Sequence, residues 1–140
     1  MKQHFETLAV RTAGPGLSDV TDRVAAVLRA AGVRDGLLTL FIRHTSASLL
    51  VQENADPDVL ADLEAFLRRT VSRDPSLYRH GTEGPDDMPA HIRSALTQTS
   101  LAIPVHGGRM VLGTWQAIYV FEHRDRPHTR EIAVHVIGNR

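Results

Sequence analysis

The spacing of apolar residues in the first third of the chain predicts a strand followed by a helix. Phe5 opens a short run typical of a strand, which ends at the turn signal Gly-Pro-Gly at 14–16. Residues 17–32, LSDVTDRVAAVLRAAG, then carry apolar residues at helical spacing. Ser18 or Asp19 can cap the start of this helix, and the glycine at its end suits the position after a last helical turn.

The next apolar segments predict two strands and a second helix. Residues 36–44, GLLTLFIRH, form a continuous apolar run of strand length. Residues 46–53, SASLLVQE, continue as another strand, or as the same strand after a bend. Asp56 followed by Pro57 is typical of a helix start. The face of that helix comprises Leu60, Leu63, Phe66, Leu67 and Val71.

The second half of the chain predicts a loop, a short helix and three strands. Residues 72–88 show no periodicity, and a loop of this length is usually functional or disordered. A short helix at 89–99 follows, and strands are predicted at 100–106, 109–123 and 130–138. The element order β-α-β-β-α-α-β-β-β favours an α+β fold with antiparallel pairs. The strand 109–123 has two largely apolar faces, which suits a sheet buried on both sides.

Length and composition limit the classes of protein that need consideration. The 140 residues suit a single domain, 1–140, large enough to bury a core of its own. Sixteen basic and sixteen acidic side chains cancel, and no basic cluster indicates nucleic-acid binding. The absence of cysteine excludes disulfides and thiolate catalysis. We see no apolar run of membrane-spanning length and no targeting segment, so we expect a cytoplasmic protein without a membrane partner.

Eight histidines are the unusual feature of this composition. His44 closes an apolar strand, where a lone histidine is more often a satisfied polar residue than a ligand. His80 lies in the long loop and His91 in the first turn of the next predicted helix, with Asp86-Asp87 between them. Imidazoles gathered in this way suit zinc or a similar ion, with carboxylates orienting the rings. The spacing of these histidines does not match the HExxH motif, so the spacing alone does not define a metal site.

Two glutamates are candidates for acid–base chemistry, each with a plainer alternative. Glu53 ends a strand and could cap the following helix, while Glu122 could lie on a solvated edge. A catalytic role requires both to converge on the histidines. No phosphate-binding glycine loop or nucleophile elbow is present. The residues alone therefore predict an α+β domain with a possible three-histidine site, and no particular reaction.

Three ordered segments resemble one known family. HTSASLLVQENADPDV, YRHGTEGPDDMPAHI and GRMVLGTWQAIYVFEH are similar to the secondary thiamine-phosphate synthase family, the YjbQ-like proteins, from about Gly36 to the C-terminus. The resemblance implies an α+β fold built on an antiparallel, sandwich-like sheet with two to three helices. It also implies a homotrimer, with a histidine-lined metal site in a cleft near a subunit boundary.

The resemblance assigns roles to particular positions of this chain. It implies His44, His80 and His91 as metal ligands, and Glu53 and Glu122 as catalytic carboxylates. It further implies substrate-binding roles for Thr45, Ser46, Gln116 and Arg130.

The activity that the family name implies joins hydroxymethylpyrimidine pyrophosphate to thiazole phosphate. Mg²⁺ is the usual ion for such chemistry, but it prefers oxygen ligands, and three imidazoles suit zinc better. This mismatch suggests that the synthase reaction is a secondary activity and leaves two alternatives open. One is a metal-dependent hydrolase of a small phosphorylated or amide substrate, and the other is a non-catalytic metabolite- or metal-binding protein.

Overall fold

The computed structural model describes residues 1–140 and contains eight strands, three α-helices and one 3₁₀ turn. The strands are β1 (Lys2–Arg11), β2 (Gly16–Asp19), β3 (Asp35–Ile42), β4 (Ala47–Glu53), β5 (Ser100–His106), β6 (Arg109–Met110), β7 (Gln116–Glu122) and β8 (Thr129–Asn139). The helices are α1 (Thr21–Ala31), α2 (Pro57–Thr70) and α3 (Asp87–Leu96), and the 3₁₀ turn spans Pro75–Leu77.

Two antiparallel sheets form the frame of the protein. The larger has five strands in the order β1-β8-β3-β5-β6, and the smaller has three in the order β2-β7-β4. Every strand pair is antiparallel. The predicted α+β class, with a sandwich-like antiparallel arrangement and three helices, is confirmed.

The hydrophobic core lies between the two sheets and includes the apolar face of α1. Alternate residues of the five-stranded sheet point inward, and α1 contributes Val24, Val27 and Leu28. The three-stranded sheet faces this core with Leu49, Ile118 and Val120. Its opposite face is covered by α2 and α3, so β7 is buried from Ala117 to Glu122, as the two apolar faces predicted.

Two local predictions are wrong. Residues 16–19 form a strand against β7 instead of a turn and the start of a helix, because their backbone completes the edge of the smaller sheet. The first helix accordingly begins at Thr21, whose backbone N–H donates to Asp19 Oδ1 at 2.9 Å. The predicted strand 109–123 is interrupted, since Gly113 donates its N–H to Gln116 Oε1 at 2.7 Å and the chain turns there into the second sheet.

The outer face of the five-stranded sheet carries large apolar side chains with no helix over them. Phe5 is 62% exposed, Phe41 49% and Leu37 39%. They come from the two strands that flank β8, because β1 and β3 both pair with it. The outward positions of β8 between them include Ala133 and Ile137, each partly exposed. This side of the sandwich is therefore an apolar surface of the single chain.

Alanine at Gly36 is expected to lower the free energy of unfolding by about 1–3 kcal/mol, the usual range for overpacking. Gly36 and Gly138 lie opposite each other in the β3–β8 pair. A Cβ on Gly36 would lie 2.0 Å from the Ile137 carbonyl oxygen and 2.7 Å from Gly138 Cα. Urea unfolding of Gly36→Ala measures the effect.

Gly81→Ala is the matched control for this substitution. A Cβ at Gly81 meets nothing within 4 Å, and its backbone is free of the left-handed conformation. We expect a change within about 0.5 kcal/mol, as for most surface substitutions. Equal stabilities for the two variants would contradict the close approach of β3 and β8.

Candidate metal centre

Two histidines and one carboxylate meet where the long loop enters α3. Asp87 and His91 are four residues apart in α3 and so lie on the same helix face. His80 arrives from the preceding loop. The ligand atoms of the three residues all lie within 4.8 Å of one another. This group is a candidate site for a metal ion and is named the metal centre on that basis alone; it brings together two of the three histidines predicted as ligands.

Hydrogen bonds define the geometry of the metal centre. Asp87 Oδ2 lies 2.7 Å from His80 Nε2 and 3.0 Å from His91 Nε2. The two imidazole rings are 5.6 Å apart between centroids, in an edge-to-face arrangement. Asp87 is buried, whereas both histidines keep solvent access. One carboxylate oxygen therefore serves two imidazoles at the mouth of an accessible site.

The hydrogen-bond partner of His91 Nδ1 determines whether His91 Nε2, which faces Asp87, carries a proton. His91 Nδ1 lies 2.9 Å from the Thr45 carbonyl oxygen, which can only accept, so Nδ1 carries the proton. A neutral His91 would then turn a bare Nε2 towards an ionised carboxylate. That contact is favourable only with a proton on Nε2 or a cation between the two groups. The donor set of two imidazole nitrogens and one carboxylate oxygen fits zinc and fits Mg²⁺ poorly.

Arg124 holds the acidic start of α3 in place. Its Nη1 donates to Asp87 Oδ1 at 2.8 Å, and its Nε donates to Asp86 Oδ2 at 2.8 Å. The Arg124 hydrogen bond lowers the pKa of Asp86 to about 2. Burial raises the pKa of Asp87, but hydrogen bonding to His80 and the charges of His91 and Arg124 outweigh it and lower the pKa overall. Both carboxylates are thus ionised at neutral pH, and Asp87 keeps its second oxygen free for the metal centre.

A cleft of about 460 Å³ opens beside the metal centre and shares His91 with it. Its wall is formed by the end of β3, the turn that follows, and the exposed side of α3. The lining residues are Phe41, Ile42, Arg43, His44, Thr45, His91, Ser94, Ala95 and Thr99. Predicted site residues His44 and Thr45 therefore reach the same cleft as His91.

The structure places His44 in this cleft but outside the metal centre. His44 Nε2 accepts a hydrogen bond from the backbone N–H of Glu131 at 2.7 Å. Its Nδ1 lies 3.4 Å from Arg130 Nη1. Burial, together with the positive charge of Arg130, lowers the pKa of His44, so the ring is neutral at physiological pH. Nε2 of His44 is thus engaged by the backbone of β8, and Nδ1 faces a guanidinium.

Three other predicted residues form a buried network behind the cleft. Glu122 is 0% exposed and forms an ion pair with Arg130 through Nη2 and Nε. Arg130 Nη2 also donates to Ser46 Oγ at 3.0 Å, and Thr12 Oγ1 donates to Glu122 Oε1 at 2.7 Å. Burial raises the pKa of Glu122, yet the hydrogen bonds from Arg130 and Thr12 outweigh it and leave the pKa below its usual value. Glu122 is thus a structural anion in this arrangement.

Glu53 and Gln116 lie at the opposite end of the smaller sheet. Glu53 pairs with Gln116, whereas Ala47, next to the cleft, pairs with Glu122. Six residues of strand separate the two ends, a distance of about 20 Å. Within one chain, therefore, the structure does not bring Glu53 and Glu122 together on the histidines. Glu53 Oε2 instead accepts from the Ala55 N–H at 3.0 Å, a local contact ahead of α2, and the helix itself is capped by Asp56 and not by Glu53.

The sequence predicts Asp87 only as an orienting carboxylate beside the histidines and gives no indication of Arg124. The four-residue spacing of Asp87 and His91 was the available signal, because it puts both on one helix face. Nothing local marks Arg124, whose role depends on β7 ending beside the start of α3.

The fold and the metal centre define an α+β sandwich protein with a candidate site for a transition metal. Residues 6–139 match the family described as UPF0047 protein YjbQ-like, and the chain belongs to that family. It is 56% identical over 137 residues to a UPF0047 protein of Synechocystis, covering 98% of this chain and 93% of that protein. It is 45% identical over 134 residues to UPF0047 protein YjbQ of Escherichia coli O157:H7, covering 95% and 96%.

Solved structures agree with this membership. A YbjQ-like protein of unknown function from Sulfolobus solfataricus superposes with a TM-score of 0.89 at 25% identity, covering 99% of both chains. An uncharacterised protein of the yjbq/upf0047 family from Clostridium acetobutylicum gives a TM-score of 0.86 at 34% identity, covering 94% of this chain and 99% of that one. None of the three helices is long and apolar enough to cross a membrane.

Proposed function

We propose that this protein is a metal-dependent enzyme for a small phosphorylated substrate, with His80, Asp87 and His91 holding the metal. The observation that carries the proposal is the meeting of three ligand atoms within 4.8 Å beside an open cleft. Three protein ligands with room for a fourth are typical of catalytic zinc, whereas structural zinc is closed by four. Zinc is therefore the metal we propose.

The residues around the metal centre suit hydrolysis. Zinc in such a site supplies a water molecule activated as a nucleophile near neutral pH. Asp87 Oδ1 is fixed by Arg124, and His91 Nδ1 by the Thr45 carbonyl, so both side chains are oriented before any substrate enters. Arg43 in the cleft wall can pair with a phosphate group, with the hydroxyl of Thr45 as a further donor. Hydrolysis of a phosphorylated substrate is accordingly the leading reaction.

Thiamine-phosphate synthase activity is the second candidate, and the motif resemblance is what supports it. Loss of pyrophosphate usually requires Mg²⁺ and oxygen ligands, and Asp87 alone offers such an atom in the metal centre. We therefore propose the synthase reaction as a secondary activity at most. A non-catalytic metal- or metabolite-binding protein is the remaining alternative, and a closed coordination shell would favour it.

Elemental analysis of tag-free protein tests whether the protein binds zinc. Two activity assays then distinguish between the proposed functions. We expect near-stoichiometric zinc per chain and metal-dependent hydrolysis of phosphomonoester or phosphodiester probes. Formation of thiamine phosphate from the two synthase substrates without hydrolysis would favour the second candidate. Zinc without either activity would favour a binding protein, and failure to take up zinc would contradict the proposed metal centre.

We also propose that the protein assembles as a homotrimer through the outer face of the five-stranded sheet. Phe5, Leu37 and Phe41 give that face its apolar character, and a second copy of the chain would remove them from water. Phe41 also lines the cleft, so this interface would reach the rim of the proposed active site.

Phe41→Glu is expected to shift the protein from trimer to monomer, because a carboxylate is costly inside an apolar interface. Light scattering coupled to size-exclusion chromatography measures the mass. Phe66→Glu is the matched control, since Phe66 is similarly exposed but lies on α2, on the other side of the sandwich. A wild-type monomer, or equal dissociation by both variants, would contradict this interface.

A further inference from the structure

Strand β1 is the longest open sheet edge of the protein. It forms one edge of the larger sheet, whose other edge is β6, a strand of two residues. In the smaller sheet the edge strand β2 has four residues, and the other edge strand, β4, is bridged where the Leu49 N–H donates to the Gln98 carbonyl oxygen at 2.7 Å. β1 runs for ten residues without proline, glycine or a break in its register with β8. A long, regular and unpaired edge is a template for another strand.

The hydrogen bonds on the two sides of β1 show which of its backbone groups are free. The N–H of Thr12, the residue after β1, donates to the His128 carbonyl oxygen at 2.8 Å, so the even-numbered residues bond to β8. In an antiparallel pair the residues between them turn their N–H and C=O groups the other way. The Ala9 carbonyl oxygen accordingly accepts from Arg23 Nη1 of α1 at 2.8 Å. Ahead of Ala9 in β1, the residues with unpaired N–H and C=O groups at the open edge are Gln3, Phe5 and Thr7.

Arg23 limits the length over which a further strand can pair with β1. Its side chain occupies the Ala9 carbonyl oxygen, so pairing is confined to residues 3–7. A second copy of β1 can pair antiparallel with the first across a two-fold axis. All three free residues take part only when Phe5 lies on that axis. Phe5 then faces Phe5 of the second copy, and Gln3 faces Thr7.

The charged side chains of β1 favour the same register. His4 and Glu6 lie on the side of β1 opposite to Phe5, with His4 Nε2 and Glu6 Oε2 2.8 Å apart. With Phe5 on the axis, each His4 faces Glu6 of the other copy. A histidine facing a carboxylate is a favourable cross-strand pair, whereas like charges in facing positions repel. Moving the axis to Glu6 or to His4 would instead place that residue against its own counterpart.

Pairing at this edge also continues the apolar outer face of the larger sheet. Phe5 is 62% exposed and lies on that face with Leu37 and Phe41. Two Phe5 rings side by side across the axis would extend the apolar surface from one copy into the next. The pairing itself uses backbone groups at the edge of the sheet, so the outer face stays available for the proposed trimer.

We infer that β1 is a docking edge for a second copy of this chain, which adds antiparallel at residues 3–7 and joins the five-stranded sheets of the two copies. One strand pair of this length is far smaller than a standard interface of roughly 20–30 residues a side, so it holds two single chains only weakly. Two trimers related by two-fold axes present three such edges to each other, and the later pairs form at high effective concentration. The proposed trimer therefore associates to a hexamer as the protein concentration rises. The size of this assembly rests on the proposed trimer, whereas the strand pair does not.

A single cysteine at position 5 tests the strand pair directly, because the chain contains no other cysteine. Facing residues of a hydrogen-bonded antiparallel pair have Cα atoms about 5.5 Å apart, which is within the range of a disulfide. Oxidised Phe5→Cys is therefore expected to run as a covalent dimer on a non-reducing gel.

Thr7→Cys is the matched control and should remain a single chain on the gel. Thr7 is exposed on the same face of β1 but faces Gln3 of the second copy, more than about 13 Å from its own counterpart. The double variant Gln3→Cys/Thr7→Cys should regain the covalent dimer, because its two cysteines face each other across the pair. Equal cross-linking of Phe5→Cys and Thr7→Cys, or no cross-linking of the double variant, would overturn the inference.

Light scattering over a range of protein concentrations measures the assembly without cross-links. The wild-type mass is expected to double as the concentration rises, whereas Thr7→Pro should keep the lower mass throughout. Proline removes the Thr7 N–H, which faces away from β8, and is tolerated at such a position of an edge strand. Thr7→Val keeps that N–H and is the matched control. Equal masses of wild type and Thr7→Pro at every concentration would leave the edge to a strand of a different protein and overturn the inference.

The strand pair and the proposed trimer give different masses. A wild-type mass that doubles from one chain to two would support the strand pair and contradict only the trimer. A trimer whose mass never doubles would overturn the strand pair and leave the trimer intact. The cysteine variants decide the question if Thr7→Pro fails to fold.

Discussion

Replacing Glu122 by alanine is expected to destabilise the protein by about 3–5 kcal/mol, the usual cost of leaving one partner of a buried ion pair alone. Arg130 would lose the carboxylate that accepts from its Nε and Nη2 and would remain a buried cation. Thr12 Oγ1 would lose the same acceptor, as would the backbone N–H groups of His123 and Arg124. These contacts link the residue after β1 to β7 and β8, so their loss affects both sheets.

Urea unfolding, read from the midpoint and its slope, measures this loss. Glu131→Ala is the matched control, because Glu131 is the neighbour of Arg130 but pairs with Arg43 at the exposed surface at 2.9 Å. Such a surface pair contributes about 0–1 kcal/mol. The double variant Glu122→Ala/Arg130→Ala should lose less than the sum of the single variants, since it leaves no unpaired charge. Equal stabilities of Glu122→Ala and Glu131→Ala would contradict the buried network.

The pKa of Glu122 adds a pH dependence to this prediction. Its folded-state pKa lies below the ordinary value of 4.5, so its contribution is fully present above that pH. The contribution is lost as the pH falls through the folded-state pKa. Wild-type protein should therefore lose stability in acid more steeply than Glu122→Ala.

Local signals in the sequence are sufficient to predict the helices and most of the strands. The Asp56-Pro57 start of α2 is confirmed, with Asp56 accepting from the Asp58 N–H at 2.9 Å, and Gly32 ends α1 with φ of 65°. Strand β2 escaped prediction because its four residues carry no alternating pattern and are fixed only by pairing with β7. Edge strands of this length depend on tertiary contacts that a short sequence window does not contain.

The candidate site was predictable where its residues are close in the sequence. His80, Asp87 and His91 fall within twelve positions, and one helical turn brings the last two together. Glu53 and Glu122 lie on adjacent strands, and only the register of β4 with β7 shows that they lie at opposite ends. His44 reaches the cleft as expected, but its bond to the Glu131 N–H depends on the path of β8, which no local signal specifies.

Replacing Asp87 by asparagine is expected to reduce zinc affinity by at least about 10–100-fold. That range is typical for losing a residue that only hydrogen-bonds to a metal ligand, and Asp87 is itself a proposed ligand. Asparagine keeps the size of the side chain but removes the negative charge that would bind the cation. It also leaves His91 Nε2 without the carboxylate that lies 3.0 Å away. Competition with a chromophoric chelator measures the affinity on tag-free protein.

Asp35→Asn is the matched control for this loss. Asp35 Oδ1 accepts from His106 Nδ1 at 2.8 Å, so it also forms a histidine–carboxylate pair, but on the exposed surface and without a second imidazole. We expect zinc affinity to be unchanged in that variant. His80→Asn removes a proposed ligand with a partly exposed side chain. It should reproduce the loss of zinc affinity if Asp87→Asn disturbs folding through Arg124.

The variant His44→Ala distinguishes between two sets of proposed metal ligands, one completed by Asp87 and the other by His44. With His80, Asp87 and His91 as the ligands, His44→Ala should retain zinc, because its Nε2 is engaged by the backbone of β8. Loss of zinc in His44→Ala with retention in Asp87→Asn would instead favour the three histidines implied by the family resemblance. Since His44 and His91 line the same cleft, that result would require the His44 ring to leave Glu131 when the metal binds. The two variants together therefore decide whether the carboxylate or the third imidazole completes the metal centre.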